Sequence, residues 1–297
     1  MPREAKLCPS QTKERKSNCA AMIHFTPPPE LHIFNIFTFN VHSMAFLAGA
    51  AAAYIFTYKR IPEEFRKHLD DLTLYMTVAG ILGARLLFAA VNYKSFHSFW
   101  QIFAVWQGGL TSYGGFLGAV LVWIWYIKSH KLPMALFCHA LGPAALLGWG
   151  IGRMGCFLSW NGEIGTYTDV PWAFIVDGDQ PRHPVMFYIA AANCLFAYLS
   201  AKWAEKHKIN AAALSLVCFG AIRAVLDKWR DYDPDWLYYG SVGLSLLYVF
   251  LGIWLWRTLP YPEGYGRRAE AAEETNSAQT EASDSAEPAG ESGGRQS

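Results

Sequence analysis

Three arginines interrupt runs that are otherwise apolar enough for a membrane interior. Arg85 lies within residues 72–93 and Arg223 within 209–226, while Arg153 sits where a third run ends, in Gly152-Arg153-Met154-Gly155-Cys156. An ionised group at bilayer depth costs at least about 2.5–3.5 kcal/mol, so it faces an interior site with a partner. The sequence offers few carboxylates inside apolar runs to pair with them. A guanidinium fork matches phosphate oxygens, and the phosphate at hand in a bilayer belongs to a lipid. The expected chemistry is therefore binding of a phospholipid headgroup and stabilisation of charge that develops on it.

The elements that hold these residues follow from composition. The chain has 297 residues, is 53% hydrophobic, and has 16% charged residues, against about 25% in soluble domains. That marks an all-α integral membrane protein. Seven runs are long enough for a hydrocarbon core of about 30 Å, at approximately 41–58, 72–93, 108–127, 133–152, 184–201, 209–226 and 237–256. None alternates as a β-barrel strand would. A net charge of +1 and the lack of a basic groove argue against a nucleic-acid partner. The six cysteines form no C-x-x-C pair, so neither a metal site nor a disulfide framework is expected.

Lys and Arg concentrate after the first, third, fifth and seventh runs, which places those connections in the cytoplasm and the N-terminus outside. Residues 1–21 are basic and contradict this, so translation is expected to start at Met22. The expected organisation is an N-terminal extension over 1–40, with an aromatic interfacial helix over 27–40. A seven-helix domain over 41–257 carries an outer-face loop at 156–183, and a polar cytoplasmic tail fills 258–297. Candidate site residues concentrate near that loop.

Several motifs carry a resemblance. Gly152-Arg153-Met154-Gly155-Cys156-Phe157-Leu158 is followed by Asn161-Gly162-Glu163-Ile164-Gly165. Around it stand Gly83-Ala84-Arg85, Trp106-Gln107-Gly108-Gly109-Leu110 with Tyr113-Gly114-Gly115, Arg182-His183-Pro184, and Phe219-Gly220-Ala221-Ile222-Arg223. In this order, over residues 40–257, they resemble the bacterial prolipoprotein diacylglyceryl transferases. The resemblance implies an inner-membrane enzyme without a metal or organic cofactor. Such an enzyme moves the diacylglyceryl group of phosphatidylglycerol to the lipobox cysteine thiol of a preprolipoprotein and releases glycerol phosphate. It implies Arg223, Tyr113 and Glu163 as catalytic residues, and Arg153, Arg85, Asn161, Gly114 and His183 as substrate-binding ones. Each has a plainer structural reading; for Arg223 it is an ion pair with Asp227 one turn away.

The chain departs from the family's usual residues at Tyr113 (a histidine in many members, a tyrosine in some branches), His42 (a tyrosine), His139 (often an aspartate), Cys156 (an asparagine, though the family admits this variant) and Ile189 (a glutamate). Two other functions fit the bare arginine pattern. One is a non-catalytic relative that only binds anionic lipid, and the other is an organic-anion transporter, although no internal repeat supports the latter.

Overall fold

A computed structural model describes residues 23–26, 31–33, 37–39, 41–93, 111–159, 165–176, 180–232 and 236–262. Seven long helices stand where the apolar runs predict them: α1 Val41–Arg60, α2 Arg66–Val91, α3 Ser112–Ser129, α4 Met134–Ser159, α5 Val185–His207, α6 Ala211–Leu226 and α7 Trp236–Thr258. Five stretches, containing α1, α2, α4, α5 and α7, are long and apolar enough to cross a membrane. The other two helices are the shortest, with 18 residues in α3 and 16 in α6.

Large apolar side chains cover the outer faces, among them Leu47, Phe116, Leu121 and Phe250, each more than half exposed. Water would make that surface costly, whereas lipid covers it without penalty. The helices meet through small residues. On α2 and α3, Gly80 and Gly83 face Gly114, Gly115 and Gly118; a Cβ on Gly114 would lie 2.6 Å from that of Leu87. On α4, a Cβ at Gly152 would strike the Phe46 ring of α1 at 3.0 Å, and one at Gly150 would strike Cys194 of α5 at 2.7 Å. Such stripes let backbones approach where no hydrophobic force drives helices together. Several buried polar side chains bond back to their own helix: Thr57 donates to the Ala53 carbonyl at 2.8 Å, Asn193 to Ile189 at 2.7 Å and Ser245 to Ser241 at 2.8 Å.

The short connections 61–65, 130–133 and 208–210 gather at one end. Asn210 caps α6 there, accepting from the Ala212 N–H while its amide donates to the carbonyls of Ala135 and Pro260. His139, fully buried on α4, accepts from the Ala211 N–H at 3.0 Å. A cluster of Ile61, Leu69, Leu72, Tyr126, Ile127 and Phe137 closes that end.

The opposite end carries a small polar head. Strand β1 (Ile23–Phe25) pairs in parallel with β4 (Phe174–Val176), and Thr166 donates to the Trp229 carbonyl at 2.8 Å. The described residues of 27–40 are not helical as expected. Strands β2 (Leu31–Ile33) and β3 (Phe37–Phe39) pair antiparallel, and their alternation of apolar with His32 or Thr38 has the strand period of two. A second correction concerns α4, which runs two turns past Gly152 to Ser159. Arg153 and Cys156 are therefore helical, and the insertion begins only after Ser159.

Candidate functional site

On α4 the turn Trp149-Gly150-Ile151-Gly152-Arg153 leaves room on two sides, because the glycines bring α1 and α5 close. The long side chain of Arg153 takes the remaining direction. Its guanidinium lies 4.7 Å over the Trp149 ring, one turn earlier. One Nη lies 3.7 Å from the Cys156 sulfur and 3.8 Å from that of Met186 on α5. The aromatic face attracts the cation, and the sulfurs are weak acceptors. Together they orient the group with little direct neutralisation from their own contacts.

Cys156 and Met186 belong to a buried cluster with Phe157, Val185 and Ile189, against which Leu226 and Trp229 pack from the end of α6. Arg223 lies one turn before Leu226. Its Nη2 donates to Ser241 of α7 at 2.9 Å and lies 3.5 Å from an Asp227 oxygen; Ser241 donates to that same carboxylate. Asp227 is 1% exposed. Residues 227–235 read as a loop whose acids offset its bases; instead a 3-10 turn at Asp227–Trp229 tucks this carboxylate inward, one turn from Arg223. The ion-pair reading of Arg223 therefore describes the geometry found. The Arg223 Nε is buried and has no partner among the described residues, so one N–H donor remains.

The head closes over this cluster. Gly165 is needed for a close approach: a Cβ there would lie 2.9 Å from a Val185 methyl and 3.0 Å from the His183 carbonyl carbon. Buried Arg182 donates to the Gly165 carbonyl at 3.1 Å, to Tyr167 at 2.6 Å and to Asp231 at 3.3 Å, which ties the α4–α5 insertion to the segment after α6. Beside it His183 lies between Tyr188 and Trp229, with ring centroids 6.2 Å away on each side. Its Nδ1 is buried without a partner among the described residues, and burial lowers its pKa below the usual histidine value.

The remaining candidates lie on α2 and α3. Arg85 is 3% exposed and packs against Phe88, its guanidinium 5.7 Å from the ring. Gly114 is a close-packing residue of the α2–α3 crossing. Tyr113, in the first turn of α3, is 74% exposed. Asn161, Glu163 and the segment 106–110 lie outside the described residues. Among the sequence candidates, Asp227 stood only as the ion-pair alternative for Arg223, Arg182 only as part of a motif without a site role, and Ser241 not at all. The i, i+4 spacing from Arg223 signalled the first; nothing local signalled a serine in an apolar helix.

The family model for prolipoprotein diacylglyceryl transferases matches residues 29–258, which include α4, α6 and the α4–α5 insertion. The chain belongs to that family. It is 32% identical over 256 residues to the phosphatidylglycerol–prolipoprotein diacylglyceryl transferase of Legionella pneumophila strain Lens, covering 75% of this chain and 94% of that one. The transferases of that name from Nitrosomonas europaea and Geobacter sulfurreducens are 33% and 30% identical. Those matches cover 64% and 66% of this chain, and 69% and 80% of theirs. The diacylglyceryl transferase family thus accounts for the ordered motifs, and the helices that carry them fit a membrane enzyme.

Proposed function

We propose that the protein transfers the diacylglyceryl group of phosphatidylglycerol to the lipobox cysteine of a preprolipoprotein, the first step of lipoprotein maturation. The thiolate sulfur attacks the glyceryl carbon that bears the phosphate ester. The carbon–oxygen bond breaks as the thioether forms, its electron pair leaves on the phosphate oxygen, and glycerol phosphate departs. The thiol proton passes to a base, for which Glu163 and Tyr113 are the candidates; the exposed Tyr113 ring can be reached by a lipid from the bilayer side.

Arg153 meets the phosphate and stabilises the leaving charge, and Arg223 adds a second donor through its Nε. Arg85, Asn161 and His183 bind the substrate, and Gly114 keeps α2 and α3 close together. All seven helices cross the inner membrane in this reading, with the head outside and the short-connection end in the cytoplasm. The charge bias of the connections supports that orientation. Residues 41–257 form the transferase domain and 258–297 a cytoplasmic tail.

The observation that carries the reading is Arg153 in the family's signature segment, its guanidinium held by a ring and two sulfurs inside an apolar cluster. Purified protein incubated with phosphatidylglycerol and a lipobox peptide should give a thioether product whose mass equals peptide plus diacylglyceryl. Binding of the lipid without any such product would leave only the anionic-lipid-binding function.

A further inference from the structure

A cavity of about 470 Å³ opens at the short-connection end, away from Arg153 and Arg223, lined by residues 208–210 and 256–261. That volume falls within the roughly 300–1,000 Å³ of small-molecule clefts. Its walls are set by the chain path. Lys208 takes the left-handed conformation (φ 55°) that ends α5, and the Asn210 amide holds the Pro260 carbonyl at 3.1 Å, so the chain leaving α7 turns back over the opening of α6.

Two cations line the cavity, Lys208 and Arg257, both exposed. Neither has a carboxylate partner among the described residues. The nearest candidate for Lys208, Glu205, is taken by Arg60. The Lys208 ammonium lies 5.2 Å over the Tyr261 ring, and Trp256 forms another wall. Two unpaired cations flanked by Trp and Tyr at the end of an apolar bundle match the level and chemistry of lipid headgroups. The N-terminus of α6 adds a positive pole.

We propose that this cavity is a second phosphate site, which holds the headgroup of an anionic phospholipid from the cytoplasmic leaflet. The leaflet assignment rests on the orientation given above; binding itself does not. It would anchor the ends of α5 and α7 to lipid on the side opposite the reaction.

The test uses the full chain in detergent, with native mass spectrometry of dioctanoyl phosphatidylglycerol, dioctanoyl phosphatidylcholine and glycerol phosphate. Lys208→Glu with Arg257→Glu should weaken one phosphatidylglycerol binding event by about tenfold or more, the effect of losing charge-assisted hydrogen bonds. Turnover of the lipobox peptide should stay within about twofold, because the two sites are distant. If that variant does not fold, Lys208→Gln with Arg257→Gln should give the same loss in smaller degree.

Unchanged phosphatidylglycerol binding in both variants overturns the site. Equal competition by glycerol phosphate overturns the lipid as its source. Binding that emerges only after residues 263–297 are removed overturns the lipid as its natural occupant, making the acidic tail the ligand. Separately, Lys208→Cys should react with a membrane-impermeant maleimide in inverted vesicles and not in intact cells. The reverse would overturn the leaflet and the orientation while leaving the detergent result standing.

Discussion

Two arginines on opposite ends of the bundle are held in different ways. Arg60, at the short-connection end, pairs with the Glu205 carboxylate and lies 5.1 Å from the Phe56 ring. Arg153, at the head end, rests on the Trp149 ring and the sulfurs of Cys156 and Met186. A carboxylate neutralises a cation and fixes it, whereas an aromatic ring, a thiol and a thioether orient one through weaker contacts. Arg223 is intermediate, since Asp227 and Ser241 hold one side of its fork and its Nε is left over. On the function proposed above, the contrast would separate an arginine that ties two helices together from those that meet the phosphate.

Substitution at Arg153 should separate the two ends most sharply. Arg153→Ala is expected to lower lipid modification by about 100-fold or more, the effect of removing one preorganised donor, with membrane insertion intact. Full activity in that variant would return Arg153 to a structural role. Asp227→Asn should cost about 3 kcal/mol, because it leaves the largely buried Arg223 without its carboxylate, and should also slow turnover. Thermal unfolding in detergent and initial rates measured together decide whether both effects occur.

Gly114→Leu should destabilise the α2–α3 crossing by about 1–3 kcal/mol through overpacking, visible as a lower midpoint of unfolding. At the other end, Glu205→Gln should cost about 1 kcal/mol, since both partners are partly exposed, and rates per folded molecule should match the parent. A large loss of activity there would erase the contrast between the two ends. The smallest effect belongs to His183. Its folded pKa lies below that of the unfolded chain, so the unfolded state takes up the proton first and stability falls as pH drops below about 6.5. In His183→Gln the loss of midpoint between pH 7 and pH 5 should be shallower.

The seven apolar runs marked each long helix among the described residues, because burial in lipid imposes a composition that any window of about 20 residues displays. Their ends were less legible. By hydropathy alone the run before Arg153 finishes at Gly152, whereas the backbone continues through Gly155 to Ser159 because nothing there breaks its hydrogen-bond ladder. The segment 27–40 misled through its aromatics, which suit an interfacial helix and a strand equally; Leu31-His32-Ile33 and Phe37-Thr38-Phe39 settle it by pairing. The site was partly legible as well. Arg153 stood out because a charge in an apolar run is costly, but the sulfurs that cradle it come from Cys156 one turn away and Met186 on another helix.

By itself the sequence determined that the chain is helical and membrane-bound, where its arginines interrupt the apolar runs, and which family its ordered motifs resemble. These are properties of local composition and spacing, and they survive without knowledge of any neighbour. Tertiary structure alone decided that Ser241 on α7 completes the pair of Arg223 with Asp227. It also decided that Arg182 ties two loops into one head, and that Lys208 and Arg257 share a cavity. Each of those facts depends on side chains distant in sequence being brought together by the fold; for Arg223 and Ser241 the close approach of α6 to α7 is set by Gly220, where a Cβ would lie 2.8 Å from a Val249 methyl.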